Sequence, residues 1–237
     1  MARRILPGCQ AAVTAPAVSV ERVGQEGVPV VVVDGFAPDP DALVAEAATT
    51  RLGPPGSHYP GLRASVGPAY RAQVGPLLAA AAKRVFGFTE RLAIDRTLFS
   101  LTVTPPATLS LPQRLPHIDD VAPGKLAVVH YLSHADWGGT AFYRHRATGF
   151  ETIGPDRHRR YLDALAADLA AHGEPPPGYI AGETPLFASI GAVAPRFNRA
   201  ILYPSNLLHC AAIPNDRPPP HDVATGRLTI ASFLTAS

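Results

Sequence analysis

The sequence predicts a mainly β fold with flanking helices: a β-barrel or sandwich buttressed by helices on one side. Three observations carry this. Helical spacing of apolar residues is concentrated early in the chain, in two segments ahead of most of the strands. Short β-branched runs separated by turn signals then recur to the C-terminus. No internal repeat and no second-domain linker interrupts the 237 residues, a length that one barrel can reach.

The elements follow in order. Residues 1–20 lack periodicity and read as a flexible lead-in to a single domain over 21–237. Residues 28–33 are a β-branched strand ending at Asp34-Gly35. Asp39 is placed to cap a helix that starts at Pro40, runs to about Thr50 and carries Leu43, Ala47 and Ala48 on one stripe. Residues 53–67, rich in proline and glycine, read as a loop. Val74, Leu77, Leu78, Ala81 and Val85 predict a second helix over 69–85, with Gly75-Pro76 opposing its first half. Strands are expected at 98–103, around His117, at 125–133 and at 140–143. A short amphipathic helix over 159–172 stops at Glu174-Pro175-Pro176-Pro177-Gly178. Residues 186–193, 199–203, 206–210 and 227–234 complete the strands.

Composition excludes several function classes. With 46% hydrophobic residues the chain can bury a sizeable core. Its 21 basic and 19 acidic residues leave a net charge of +2, too balanced for a nucleic-acid or anionic-membrane surface. The two cysteines, Cys9 and Cys210, form no Cys-x-x-Cys pair, so a zinc ribbon or thioredoxin-like motif is excluded. No run has the length of a membrane span, and Pro7, Gly8 and Gln10 interrupt any secretory signal behind Arg3-Arg4. A cytoplasmic protein without a disulfide is expected.

The chemistry centres on Pro116-His117-Ile118-Asp119-Asp120. On a strand, side chains two apart share a face, so His117 and Asp119 stand side by side. An imidazole and a carboxylate so placed are two of the three ligands of a 2-His-1-carboxylate iron site. The third must be a distant histidine, from His130, His134, His145, His158, His172, His209 and His221. His130 shares a strand face with Leu126, Val128 and Leu132 and reads as a core residue. His209 ends an apolar run near a turn and is the best choice. Cys210, beside it, points to the opposite face and is not counted as a ligand. One hairpin later Arg227 and Thr229 share a face, and a guanidinium with a hydroxyl makes an anion clamp.

With these residues assembled, the chain resembles the 2-oxoglutarate- and iron(II)-dependent oxygenases, a double-stranded β-helix (jelly-roll, cupin-like) superfamily. The matching pattern is His117-x-Asp119, the distal His209, and Arg227-x-Thr229. Residues 125–133 and 138–146 look like a little-characterised bacterial branch near the prolyl-hydroxylase-like enzymes, as does Tyr59-Pro60-Gly61-Leu62-Arg63. Through its motifs the resemblance covers roughly residues 95–235. The interval from His209 to Arg227 is longer than is usual in the family, an excess that a hairpin loop through Pro214 to Pro220 absorbs.

The resemblance implies Fe(II) held by His117, Asp119 and His209, with 2-oxoglutarate as cosubstrate and its far carboxylate on Arg227 and Thr229. It implies O2 consumption, release of succinate and CO2, and hydroxylation of an unactivated C–H bond in a small molecule, amino acid or peptide side chain. Tyr131 is a candidate to hydrogen-bond the cosubstrate. Arg144, His145 and Arg146 are candidates for an anionic group of the substrate. Gln113 and Asn198 are possible polar liners, and Trp137 a lid or a packing residue. A cupin-like metal dioxygenase or isomerase that does not use 2-oxoglutarate competes with this reading, as does a non-catalytic binding module on the same barrel. No nucleic-acid or membrane partner is expected.

Overall fold

The structure is a computed structural model that describes residues 15–56 and 58–237. Cys9 and the first fourteen residues of the expected lead-in lie outside the described residues. Strands β1 (Ala17–Val23), β2 (Val28–Asp34), β3 (Gly61–Ser65), β4 (Leu92–Thr102), β5 (Lys125–Tyr131), β8 (Arg199–Pro204) and β10 (Arg227–Ala236) form one antiparallel sheet. Its order is β1-β2-β8-β5-β10-β4-β3. A second sheet, β7-β6-β9, comprises β6 (Thr140–His145), β7 (Phe187–Val193) and β9 (His209–Ala211).

Period-2 alternation sorts the large sheet into two faces. On one face Val31, Val33, Leu126, Val128, Leu202, Leu228 and Ile230 pack against α1 (Pro40–Thr49) and α2 (Pro68–Phe86) through Leu43, Ala47, Tyr70, Val74 and Leu78. On the other, Val30, Val32, Ala127, Tyr131, Ile201 and Tyr203 meet Phe142 and Val193 of the small sheet. α3 (Pro155–His172) covers the small sheet's outer side with Tyr161, Leu165 and Leu169 against Tyr143 and Phe187. Two facing antiparallel sheets with helices behind the larger one are the jelly roll that the motifs implied.

Several elements depart from the sequence reading. Asp39 caps α1 as expected, its side chain accepting from the Ala42 N–H at 3.0 Å. α2 runs unbroken through Pro76, because its buried stripe against the sheet outweighs the one lost hydrogen bond. Residues 17–20 belong to β1, not to a lead-in. Val18 and Val20 stay exposed there, so pairing with β2 along the whole strand, rather than burial, defines it. The expected loop at 53–67 contains β3, which pairs with β4 from Gly61↔Thr102 to Ser65↔Leu98. α3 begins at Pro155, and β4 begins six residues before the predicted start at 98.

His117 does not lie in a continuous strand. It forms an isolated bridge to His209, with both backbone hydrogen bonds at 2.9 Å, while the Asp119 N–H donates to the Ser205 carbonyl at 2.8 Å. The two-residue offset survives because these few backbone contacts fix both positions. No described helix is long and apolar enough to cross a membrane.

Candidate metal centre

His117, Asp119 and His209 converge. One ligand atom from each lies within 4.8 Å of the others. The His209 Nε2 is 3.5 Å from Asp119 Oδ2, and the two imidazole centroids are 4.5 Å apart. The bridge between residues 117 and 209 supplies this proximity, and β9 holds His209 by pairing it with Phe142 of β6.

The protonation of both rings suits a cation. The Leu207 carbonyl lies 2.8 Å from His209 Nδ1 and can only accept, so Nδ1 carries a proton and Nε2 is the ring nitrogen that faces Asp119. Tyr203 packs edge-on against the same ring at 4.8 Å, fixing its plane. Crowding by surrounding protein, then the neighbouring His209, push the His117 pKa down to about 4. Two imidazoles and one carboxylate fit an octahedral divalent ion that keeps open positions.

The three residues line a cavity of about 730 Å³ between the sheets. Arg227 and Thr229 line it too, so the long loop before β10 does not displace them from it. Arg227 is 4% exposed. Its Nε donates to the Gly138 carbonyl at 3.2 Å and a terminal nitrogen to the Gly139 carbonyl at 3.1 Å. Those glycines are required: a Cβ on Gly138 would sit 1.8 Å from the Ala212 carbonyl oxygen, and one on Gly139 1.9 Å from that of Val193. Thr229 Oγ1 donates to the Ser100 carbonyl at 3.4 Å.

Of the other residues read from the sequence, Gln113 and Cys210 line the cavity, whereas Tyr131, Arg144, His145 and Arg146 do not. The Tyr131 hydroxyl is 2.7 Å from Thr140 Oγ1, and it is Thr140 that reaches the lining. Arg144 lies 3.4 Å from the buried Glu151. His145 lies 3.0 Å from Asp168 Oδ2, and Arg146 pairs with Glu183. None of these three lines the cavity. Their predicted place near a substrate anion gives way to local partners, because carboxylates from three other segments reach them first. His130 is fully buried between Tyr70 and Asn198, as a core histidine. Asn198 holds the backbone of Ala37, and Trp137 donates to the Thr225 carbonyl at 2.6 Å. Gln113 lines the cavity, with its side-chain oxygen accepting from Ser110 N. Cys210 sits among Tyr143 and Leu208, and burial pushes its thiol up to about 12.

The lining residues not predicted for the site include Tyr59 and Arg63 at and just after the proline-glycine stretch, and Ser100 and Thr102 on β4. Ser100, Thr102 and Arg63 share the cavity-facing registers of Thr229 and Arg227 through the β3–β4–β10 pairings. Only the alternation Ser100-x-Thr102 could have hinted at them.

No curated protein sequence matches this chain. Among solved structures, the non-heme α-ketoglutarate-dependent epimerase SnoN from nogalamycin biosynthesis is 16% identical, with 87% of this chain and 77% of SnoN covered at a TM-score of 0.50. That likeness is one of fold. HygX from Streptomyces hygroscopicus, solved with nickel, 2-oxoglutarate and hygromycin B, is 15% identical over 89% of this chain and 84% of its own, with a TM-score of 0.49. A prolyl 4-hydroxylase from Phytophthora capsici is 15% identical over 88% of this chain and 59% of its own, at 0.45. A family model matches residues 14–234, which take in both sheets, the three helices and the whole convergent site. The chain belongs to the family of unknown function DUF6445.

Proposed function

We propose that this protein is an iron(II)- and 2-oxoglutarate-dependent oxygenase that oxidises a C–H bond of a small-molecule, amino-acid or peptidyl substrate. One observation carries the reading: three donor atoms within 4.8 Å open onto the cavity that also receives a buried guanidinium. A metal site alone would suit many reactions; a metal site facing an anion clamp suits a chelating dicarboxylate. When bound, the metal with 2-oxoglutarate and O2 supplies oxidative decarboxylation to succinate and CO2 and the oxidising power to attack an unactivated C–H bond.

The chain's own residues bind and orient. His117, Asp119 and His209 hold the cation at three positions and leave the rest open. Arg227, already fixed by two backbone carbonyls, presents its remaining N–H groups to the distal carboxylate, with Thr229 beside it. Tyr131 acts through Thr140, fixing that hydroxyl at the cavity wall. Leu115, Ile118 and Phe233 supply apolar lining beside the metal group. Hydroxylation is the outcome we assign. A product with inverted configuration and no added oxygen would redirect the assignment to epimerisation, the activity in SnoN's name.

Anaerobic addition of Fe(II) and 2-oxoglutarate is expected to give a weak visible charge-transfer band, and O2 then to give succinate. His117→Ala and Asp119→Ala each remove both signals. Iron binding with no spectral response to 2-oxoglutarate would overturn the proposal in favour of a metal-dependent reaction without this cosubstrate.

A further inference from the structure

The cavity holds more cationic groups than its carboxylates satisfy. Among the described residues its lining carboxylates are Asp95, Asp119 and Asp120. Asp119 belongs to the metal group, Asp120 accepts from the Ala122 N–H, and Asp95 lies 3.5 Å from Lys125. Arg63, Arg96 and Arg227 line the same space, and none has a carboxylate partner among the described residues. A distal carboxylate of 2-oxoglutarate answers Arg227. It leaves Arg63, and cations taken from water need a partner.

Arg63 is built into place. Its Nε donates to Ser100 Oγ at 3.0 Å, and its guanidinium lies over the Tyr59 ring at 4.0 Å from the centroid. Tyr59 is tied in turn to Thr102, their oxygens 2.9 Å apart. Stacking and one side-on hydrogen bond orient the fork while using only Nε. No acceptor among the described residues meets its two terminal amino groups. Arg63 stands in register with Ser100 and Thr229, whereas Arg227 stands in the next row with Thr102 and Gly61. The β3 and β10 backbones are two strand spacings apart, roughly 10 Å, so the two arginines rise from one sheet face on strands separated by β4. Arg227 leans to the small sheet through Gly138 and Gly139; Arg63 leans on Tyr59. Arg63 lines the same cavity as His117, Asp119 and His209, and burial holds its pKa below the ordinary value.

We propose that Arg63 binds a carboxylate carried by the primary substrate, so that the substrates are carboxylic acids with an apolar body. Ile118, Leu115 and Phe233 line the space for that body, and Arg96, over the Phe233 ring at 4.5 Å, adds positive charge at the mouth. The assignment of this acid as the oxidised substrate rests on the oxygenase reading; its binding does not.

The test is calorimetry on the Ni(II)-loaded protein, wild type, Arg63→Gln and Arg63→Lys. First, 2-oxoglutarate is titrated into each. Then matched pairs are titrated into each, with and without 2-oxoglutarate: 3-phenylpropionate and 3-phenylpropanamide, N-acetyl-L-leucine and N-acetyl-L-leucinamide. In the wild type at least one acid is expected to bind tenfold or more tightly than its amide. Arg63→Gln abolishes that preference, and Arg63→Lys recovers part of it. Affinity for 2-oxoglutarate falls far less than affinity for the acid. The proposal is overturned by equal binding of acids and amides, by a preference that survives Arg63→Gln, or by a tenfold loss of 2-oxoglutarate in that variant. A wild type that takes the acids but not 2-oxoglutarate defeats the oxygenase reading and leaves this one standing.

Discussion

At the scale of residues, the hydrogen bonds a side chain has already made decide what it can still do. His209 is committed at Nδ1, which leaves Nε2 facing Asp119 in the candidate metal centre. Arg227 is committed to two glycine carbonyls, which fixes the direction of its free N–H groups. From that follows a prediction. Arg227→Ala should weaken 2-oxoglutarate binding by about 1.5–3 kcal/mol, roughly ten- to a hundredfold, the worth of hydrogen bonds to a charged group. Metal affinity should change much less; an equal loss of both in parallel titrations would remove the clamp. The convergent set His117, Asp119 and His209 was legible in the sequence because ligand chemistry restricts residue type and His117-x-Asp119 fixes a local geometry. Arg144, His145 and Arg146 were misread, because a charge's sequence neighbours do not reveal that Glu151, Asp168 and Glu183 fold onto it.

At the scale of elements, β3 is the instructive case. Its sequence is short, sits beside Tyr59-Pro60 and lacks a strong alternation, so composition points to a loop. Pairing with β4 makes it a strand and turns Arg63 into the cavity. Gly61 is where this depends on one atom: a Cβ there would lie 2.0 Å from the Leu101 carbonyl oxygen. Backbone must move to accept it. Gly61→Ala should therefore cost about 2 kcal/mol, as overpacking and strain do. It should also disturb the cavity wall at Tyr59 and Arg63. Urea unfolding of the variant measures the first effect, and a midpoint equal to wild type would mean that β3 is not held so tightly.

At the scale of the whole molecule, one buried histidine gives the fold a pH limit. His130 packs between the large sheet and α2, stacked on Tyr70 with ring centroids 5.9 Å apart and edge-on to Phe36 at 5.0 Å. Burial lowers its pKa from 6.5 to about 4. The unfolded chain takes up this proton below pH 6.5, while the folded chain resists it until about 4. Stability from a neutral His130 is thus complete above 6.5 and lost as pH falls through that window, up to about 3 kcal/mol. Unfolding free energies of wild type and His130→Gln, measured from pH 7.5 to 4, should converge as the pH drops. A constant difference would show that the proton is not excluded.

By itself the sequence determined the chemistry on offer: two imidazoles and a carboxylate, an arginine two residues from a threonine, and alternating runs that had to stack as sheets. These are properties of residue type and short spacing, which are physical before any folding. Only the tertiary structure decided which cations remain available. It paired Arg144 and Arg146 with carboxylates, leaned Arg227 on two carbonyls, and left the Arg63 fork in the cavity lining with no carboxylate partner among the described residues. Partnership is a matter of distances across strands and between sheets, and no local pattern encodes the order β3-β4-β10 that sets them.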